Sequence, residues 1–550
     1  MVEKISAPAG QRSDCWWYAR YRGSGPATKV GKLDVNEPCA GWVFRAGVQP
    51  SVPVTQFGVD IMAHRVKHRS LIPESLARSG ELQEKAGRLM SDKYRTEMQQ
   101  QMQSGVLFDQ AADFGKEYLK GVHARHVAPQ PGDLNALSVF DEPLPENKGN
   151  AQEILETLYR YGSPGTMAQT GGRFFGLVNG SVIPTSLAAR ILGDTWDQNA
   201  VLHAVSPTNA RLEDVCQSWL RDILGLPDNT VAGYVSGTSM AIVCGLAAAR
   251  YRICSDNNWN VNEQGLDGAP EIRIVTSRHT HSTVSKAIAL LGFGTSRIEW
   301  VDVDDQGRLL ADALPVLDEK TILILQAGNV NSGSFDPIQV CCAKARKAGA
   351  WVHIDGAFGL WAAACEKLGY LTEGLAQANS WSVDAHKTLN TPYDNGICLC
   401  ADPEALVKAM QNSAAYIMYS EHRDGMLYTP EMSRRARAIE LWAAIKYLGR
   451  DGIDSLVYGL HERACQFSSE LKQAGFNVVN DVVYNQVLVS CGDEATTNRI
   501  VQHIQGSGEA WVGGSTWFDE PVIRISVCSW ATTEADISRA VAAFVHARNG

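Results

Sequence analysis

From Gly171 onward the chain alternates short, near-continuously apolar runs with helix-length segments, and this alternation restricts its fold more than any other feature. The runs cover residues 231–235, 272–276, 321–326, 350–355, 380–383 and 396–400. A strand that is apolar along its whole length must be covered on both faces. Strands spaced by helices predict an α/β domain with a mainly parallel sheet. After about residue 430 the pattern changes. A long helix over 433–448 leads to two antiparallel strands, over 482–490 and 522–527. A last helix starts at an N-cap region, Thr532-Thr533-Glu534, and runs to about residue 547, which predicts a smaller α+β domain.

Four segments follow from this reading. Residues 1–96 form an extension of unknown role, disordered or accessory, and 97–170 a helical segment. Residues 171–428 form the large domain and 429–550 the small C-terminal domain. At 550 residues the chain exceeds what one core can organise. The net charge is −10, yet residues 1–100 carry 15 basic and 10 acidic side chains, so the body is strongly acidic. That balance offers no footprint for nucleic acid. No apolar stretch has the length needed to span a bilayer, and Met-Val-Glu-Lys-Ile-Ser-Ala-Pro-Ala-Gly lacks the apolar core of a signal peptide. The 13 cysteines form no Cys-x-x-Cys pair. They are expected to be reduced, buried small residues of a cytoplasmic protein with no metal site.

The chemistry centres on Lys387, in Ser-Trp-Ser-Val-Asp-Ala-His-Lys-Thr-Leu-Asn (380–390), and on Asp355, at the end of Ala-Trp-Val-His-Ile-Asp. A lysine and an aspartate at strand ends are what pyridoxal 5'-phosphate (PLP) needs. The amine forms a Schiff base with the cofactor aldehyde, and the carboxylate keeps the pyridine nitrogen protonated. Three further groups converge on such a site. Thr238 and Ser239, after the run Tyr-Val-Ser-Gly, open a helix whose free N–H groups favour a phosphate. His281 or its competitor His279, in Arg-His-Thr-His-Ser, supplies an aromatic ring to stack on a pyridine or an imidazole to meet a carboxylate. Ala357, two residues after Asp355, is small enough for a ring to lie against it. The segment Gly237-Thr-Ser-Met-Ala also matches the nucleophile motif of subtilisin-like proteases. There the serine follows its aspartate and histidine in chain order, whereas here it precedes most of the sheet.

These residues resemble the group II PLP-dependent decarboxylases, the family of aromatic amino acid, glutamate and histidine decarboxylases. The resemblance covers roughly residues 105–548. It includes Gly172-Arg-Phe-Phe-Gly176, Ser206-Pro-x-Asn-Ala-Arg-Leu-Glu213, His353-Ile-Asp-Gly-Ala357, Asp384-Ala-His-Lys387 and the Thr-Pro-Glu-Met-Ser-Arg-Arg-Ala-Arg block from Thr429 to Arg437. It implies the type I PLP fold, a homodimer with shared active sites and decarboxylation of an amino acid. Other PLP-dependent carbon–carbon lyases and aminotransferases are the alternatives. By resemblance, Lys387 carries the cofactor, Asp355 binds the pyridine nitrogen and His281 stacks on the ring. Thr238, Ser239, Ser380 and His386 surround the phosphate, and Asn329 contacts cofactor or substrate. The family's proton-donating loop tyrosine falls on Tyr416, with Tyr419 as second candidate. Two departures, Gly171-Gly172 and Asp384-Ala385, bear on the substrate. Asp384, an acid beside an expected phosphate, is left out of the phosphate set.

Overall fold

The computed structural model describes residues 2–4, 16–19, 28–32, 92–411 and 422–550. The chain divides into two compact units, Met1–Asp92 and Lys93–Gly550. In the first unit three strands, β1 (Val2–Lys4), β2 (Trp16–Ala19) and β3 (Thr28–Lys32), pair antiparallel in chain order. In the second unit one helix is shared between the cores of the large sheet and of the C-terminal sheet.

The central sheet of the second unit has seven strands. They are β4 (Val231–Val235), β5 (Arg273–Ser277), β6 (Ile298–Val301), β7 (Thr321–Gln326), β8 (Trp351–Asp355), β9 (Ser380–Asp384) and β10 (Gly396–Cys400). Their spatial order is β4-β10-β9-β8-β7-β5-β6, and only β10 runs against its neighbours. Strand β6 was not expected from sequence; its pattern Ile-Glu-Trp-Val interrupts the apolar run with a charge, as an edge strand permits.

Side-chain alternation builds two cores, one on each face. Ile322 and Ile324 of β7 join Trp351 and Cys398 in one core, under the helices Thr238–Asp256 and Ser282–Leu290. Leu323, Leu325, Val352, Ile354 and Trp381 point to the other, under the helices Pro207–Leu224 and Ile338–Ala348. By the same alternation Gln326, Asp355 and Asp384 end their strands on the first face, at one edge of the sheet.

The helix Ala438–Gln473 runs well past the expected end at residue 448 and breaks at Gly449, where φ is 62° and ψ −171°. Its first part packs Leu441 and Ala444 into the large core, and its second packs Leu460 and Phe467 into the small one. The small domain has a four-stranded antiparallel sheet. Strands β11 (Asn477–Val478), β12 (Gln486–Ser490), β13 (Gly513–Trp517) and β14 (Glu520–Ser526) lie in the order β11-β12-β14-β13. The last helix, Glu534–Asn549, starts with a capping box between Thr533 and Asp536. No described helix is long and apolar enough to cross a membrane.

Candidate active site

The C-terminal ends of β4, β7, β8 and β9 open onto a cavity of about 430 Å³. Thr238, Ser239, His281, Asp355, Ala357, His386 and Lys387 all line it, together with Leu177, Gln326, Val330, Asp384 and Tyr393. Ligands in open α/β sheets lie at this edge because the following loops diverge there.

Lys387 follows β9 on a tightly held turn. Its Nζ lies 3.0 Å from Asp384 Oδ2. Asn390, at φ 56°, donates to the carbonyls of Lys387, Thr388 and Cys528 and accepts from the N–H groups of Ser181 and Trp530. The lysine turn is thereby tied both to the segment before the large sheet and to the small domain. Gly180 packs directly on the turn, with an added Cβ falling 2.6 Å from the His386 carbonyl oxygen.

Asp355 is buried and accepts from the Ala357 N–H at 3.2 Å and the Ser382 hydroxyl at 3.4 Å. Burial pushes its carboxyl above the usual range, against the opposing pull of His281 and Lys387. A buried acid in that condition is completed by a cationic N–H partner. His281 caps the helix Ser282–Leu290, its Nδ1 accepting from the Thr283 N–H at 3.3 Å with Thr283 Oγ1 at 2.7 Å. Burial lowers its pKa and Asp355 opposes the shift. His386 accepts the Asn395 N–H on Nδ1 at 3.0 Å, so its neutral form carries the proton on Nε2, 3.5 Å from Asp384 Oδ2.

Asp384, left out of the phosphate set by the sequence argument, lines the cavity and caps backbone there. Its Oδ1 accepts the Thr238 N–H at 2.6 Å. Burial works to raise its pKa, but Lys387, His386 and the Thr238 N–H outweigh burial and hold it below the usual value.

Two expected residues do not reach the cavity. Ser380 starts β9, four residues before its cavity end, which is about 13 Å of strand. Its hydroxyl instead bonds Trp351 Nε1 and His353 Nδ1 inside the core. Asn329 turns its amide back on its own loop, accepting from the N–H groups of Asn331 and Ser332 and donating to the His279 carbonyl. His279 packs against Trp517 and Phe518. Tyr416 and Tyr419 lie outside the described residues.

Sequence reasoning passed over two residues. Gln326, the polar residue that ends the apolar strand β7, lines the cavity with a buried Nε2 that has no partner among the described residues. Arg524, on β14, reaches toward the Val330 carbonyl and lies close enough to His281 to depress its pKa. Burial lowers the Arg524 pKa, and no carboxylate pairs with it among the described residues.

This donor set fits PLP. Asp355 offers the buried acid, Lys387 the amine and Ala357 a flat wall, while Thr238 Oγ1 is buried without a partner at a helix N-terminus. The model for the pyridoxal-dependent decarboxylase conserved domain matches residues 131–491. The chain belongs to that family. Among curated relatives, an aromatic-L-amino-acid decarboxylase of Bacillus atrophaeus is 25% identical over 472 residues, covering 81% of this chain and 95% of that one. An acidic amino acid decarboxylase of Mus musculus, GADL1, is 26% identical over 330 residues, covering 57% of this chain and 59% of that protein. Among solved structures, mouse CSAD superposes with a TM-score of 0.74 at 18% identity, covering 81% of this chain and 98% of that one. Oryza sativa TDC with PLP and tryptamine gives 0.74 at 19%, with 82% and 98% covered. The fold is therefore the type I PLP-dependent fold, with a large sheet domain and a smaller α+β domain.

Proposed function

We propose that this protein decarboxylates an L-amino acid to the corresponding amine, with PLP held on Lys387. The observation that carries the reading is the joint placement of Lys387, Asp355 and the Thr238 helix start around one cavity. When bound, PLP supplies an electron-accepting ring. The residues of the chain do the rest. Lys387 provides the amine that holds the cofactor and is exchanged for the substrate amine. Asp355, in a buried setting, keeps a proton on the ring nitrogen. Thr238 and Ser239, with the helix N-terminus behind them, hold the phosphate. His281 covers the ring opposite Ala357. Arg524, half-buried and with no carboxylate paired to it among the described residues, pairs with the substrate carboxylate and orients it. Tyr416 returns a proton to the substrate Cα. Leu177 lines the cavity yet is 61% exposed, an apolar rim that a second copy would cover in a homodimer.

The test is incubation of the PLP-loaded protein with a panel of L-amino acids, with products followed by mass spectrometry. An amine formed with loss of CO2 is expected. An oxo acid or a cleaved side-chain aldehyde as the sole product would overturn the reading in favour of transamination or carbon–carbon lyase chemistry.

A further inference from the structure

Gln326 has an unspent hydrogen bond. Its side chain is 2% exposed, its Nε2 is buried without a partner among the described residues, and it lines the same cavity as Asp355 and Lys387. A buried amide N–H left unpaired is costly enough to need a reason. The backbone beneath it is fixed. The Gln326 N–H donates to Asp336 Oδ2 at 2.7 Å, and the Gln326 carbonyl accepts from the Asp336 N–H at 3.0 Å. The side chain therefore projects from a rigid strand end.

Strand order says which part of a ligand it meets. Going across the sheet, the helix after β4 starts the phosphate end, Lys387 follows β9, Asp355 ends β8 and Gln326 ends β7. Gln326 and Asp355 pair in register, on the same face and about 5 Å apart. In pyridoxal phosphate the ring nitrogen and the aldehyde carbon lie opposite each other. The phosphate arm leaves on one side of that axis, and the methyl group and ring hydroxyl on the other. Asp355 and Lys387 fix the axis, and Thr238 and Ser239 fix the phosphate side. The remaining edge faces β7. Of its two substituents only the oxygen accepts a hydrogen bond.

We infer that Gln326 is a cofactor-positioning residue whose side-chain N–H donates to the C3 oxygen of the pyridine ring. This rests on the PLP reading above. The bond fixes the tilt of the ring about the Asp355–Lys387 axis and uses a buried donor that has no partner among the described residues.

A chemical double-mutant cycle tests it. The full-length protein and Gln326→Leu are stripped of cofactor, then titrated with PLP and with 3-deoxypyridoxal 5'-phosphate, which lacks the oxygen. The cofactor–lysine absorbance band is the readout, and circular dichroism checks that the variant is folded. Gln326→Leu should weaken PLP about tenfold, as for a lost bond to a charged acceptor, and leave the 3-deoxy analogue within about twofold. Equal weakening of both ligands would overturn the assignment, since Gln326 would then only support the pocket. An unchanged affinity for PLP would overturn it as well. If Gln326→Leu cannot be obtained folded, Gln326→Glu gives the same comparison with the donor replaced by an acceptor. Absence of the band with either ligand in the unaltered protein would defeat the PLP reading itself, a distinct result.

Discussion

Lys387, Asp355, His281 and the pair Thr238-Ser239 were legible because each follows or ends an apolar run, where the chemistry of one side chain stands out. Their convergence on one cavity follows from the shared sheet edge. Ser380 was misplaced because resemblance assigns a residue to a motif, whereas the strand rise decides which end of the motif reaches the ligand. Asp384 is kept charged by Lys387, His386 and the Thr238 N–H, partners that a sequence does not place beside it. Below this layer lies His353, on the same face as Asp355 and wholly buried, with Nδ1 on the Ser380 hydroxyl and Nε2 unpartnered. Burial pushes its pKa down to about 3. Its folded form stays neutral while the unfolded chain takes up a proton below the ordinary value of 6.5. Stability is thus lost as pH falls from about 6.5 toward 3, by roughly 1.4 kcal/mol per unit for this group. His353→Asn is expected to flatten the dependence of unfolding free energy on pH between about 6 and 4 by that amount. An unchanged slope in denaturant titrations would contradict the burial argument.

Elements were easier to read than their ends. The six expected strands of the large sheet are present because apolar runs of four to six residues have no other way to hide both faces. The edge strand β6 and the short strands β11 and β13 lacked that signature. The long helix was expected to end at residue 448, just before Gly449. In the protein the chain passes through it and resumes, with the two halves serving two cores. Its φ of 62° with ψ of −171° is a region that side chains avoid, and no heavy atom lies within 4 Å of a Cβ built there. Gly449→Ala should therefore cost about 1–3 kcal/mol through the backbone alone. A change below about 0.5 kcal/mol in chemical denaturation would show that the break is not kept. At Gly180 the reason is different. A methyl group would overlap the Lys387 carbonyl oxygen and crowd that of His386. Gly180→Ala is expected to destabilise by about 1–3 kcal/mol and to weaken cofactor binding together, because the lysine turn must move. Loss of stability with cofactor affinity intact would separate the turn from the site.

At the scale of the whole molecule, the site is assembled from parts far apart in sequence. The lysine turn leans on Gly180 and Ser181 from one side and on the Cys528–Trp530 segment from the other, through Asn390. Arg524 comes from the small domain, Asp355 and Gln326 end two strands of the large sheet, and Thr238 opens the helix after a third. Sequence named Lys387, Asp355 and Thr238 among these groups, but not their distance from one another, which the crossing order of the strands decides. The account stands on the claim that Lys387 alone carries the cofactor. Reduction of the PLP-loaded protein with borohydride, followed by peptide mapping, tests this directly. The pyridoxyl group is expected on the peptide containing Lys387 and to be absent from Lys387→Ala. A label on another lysine, or an equal label in the variant, would contradict it.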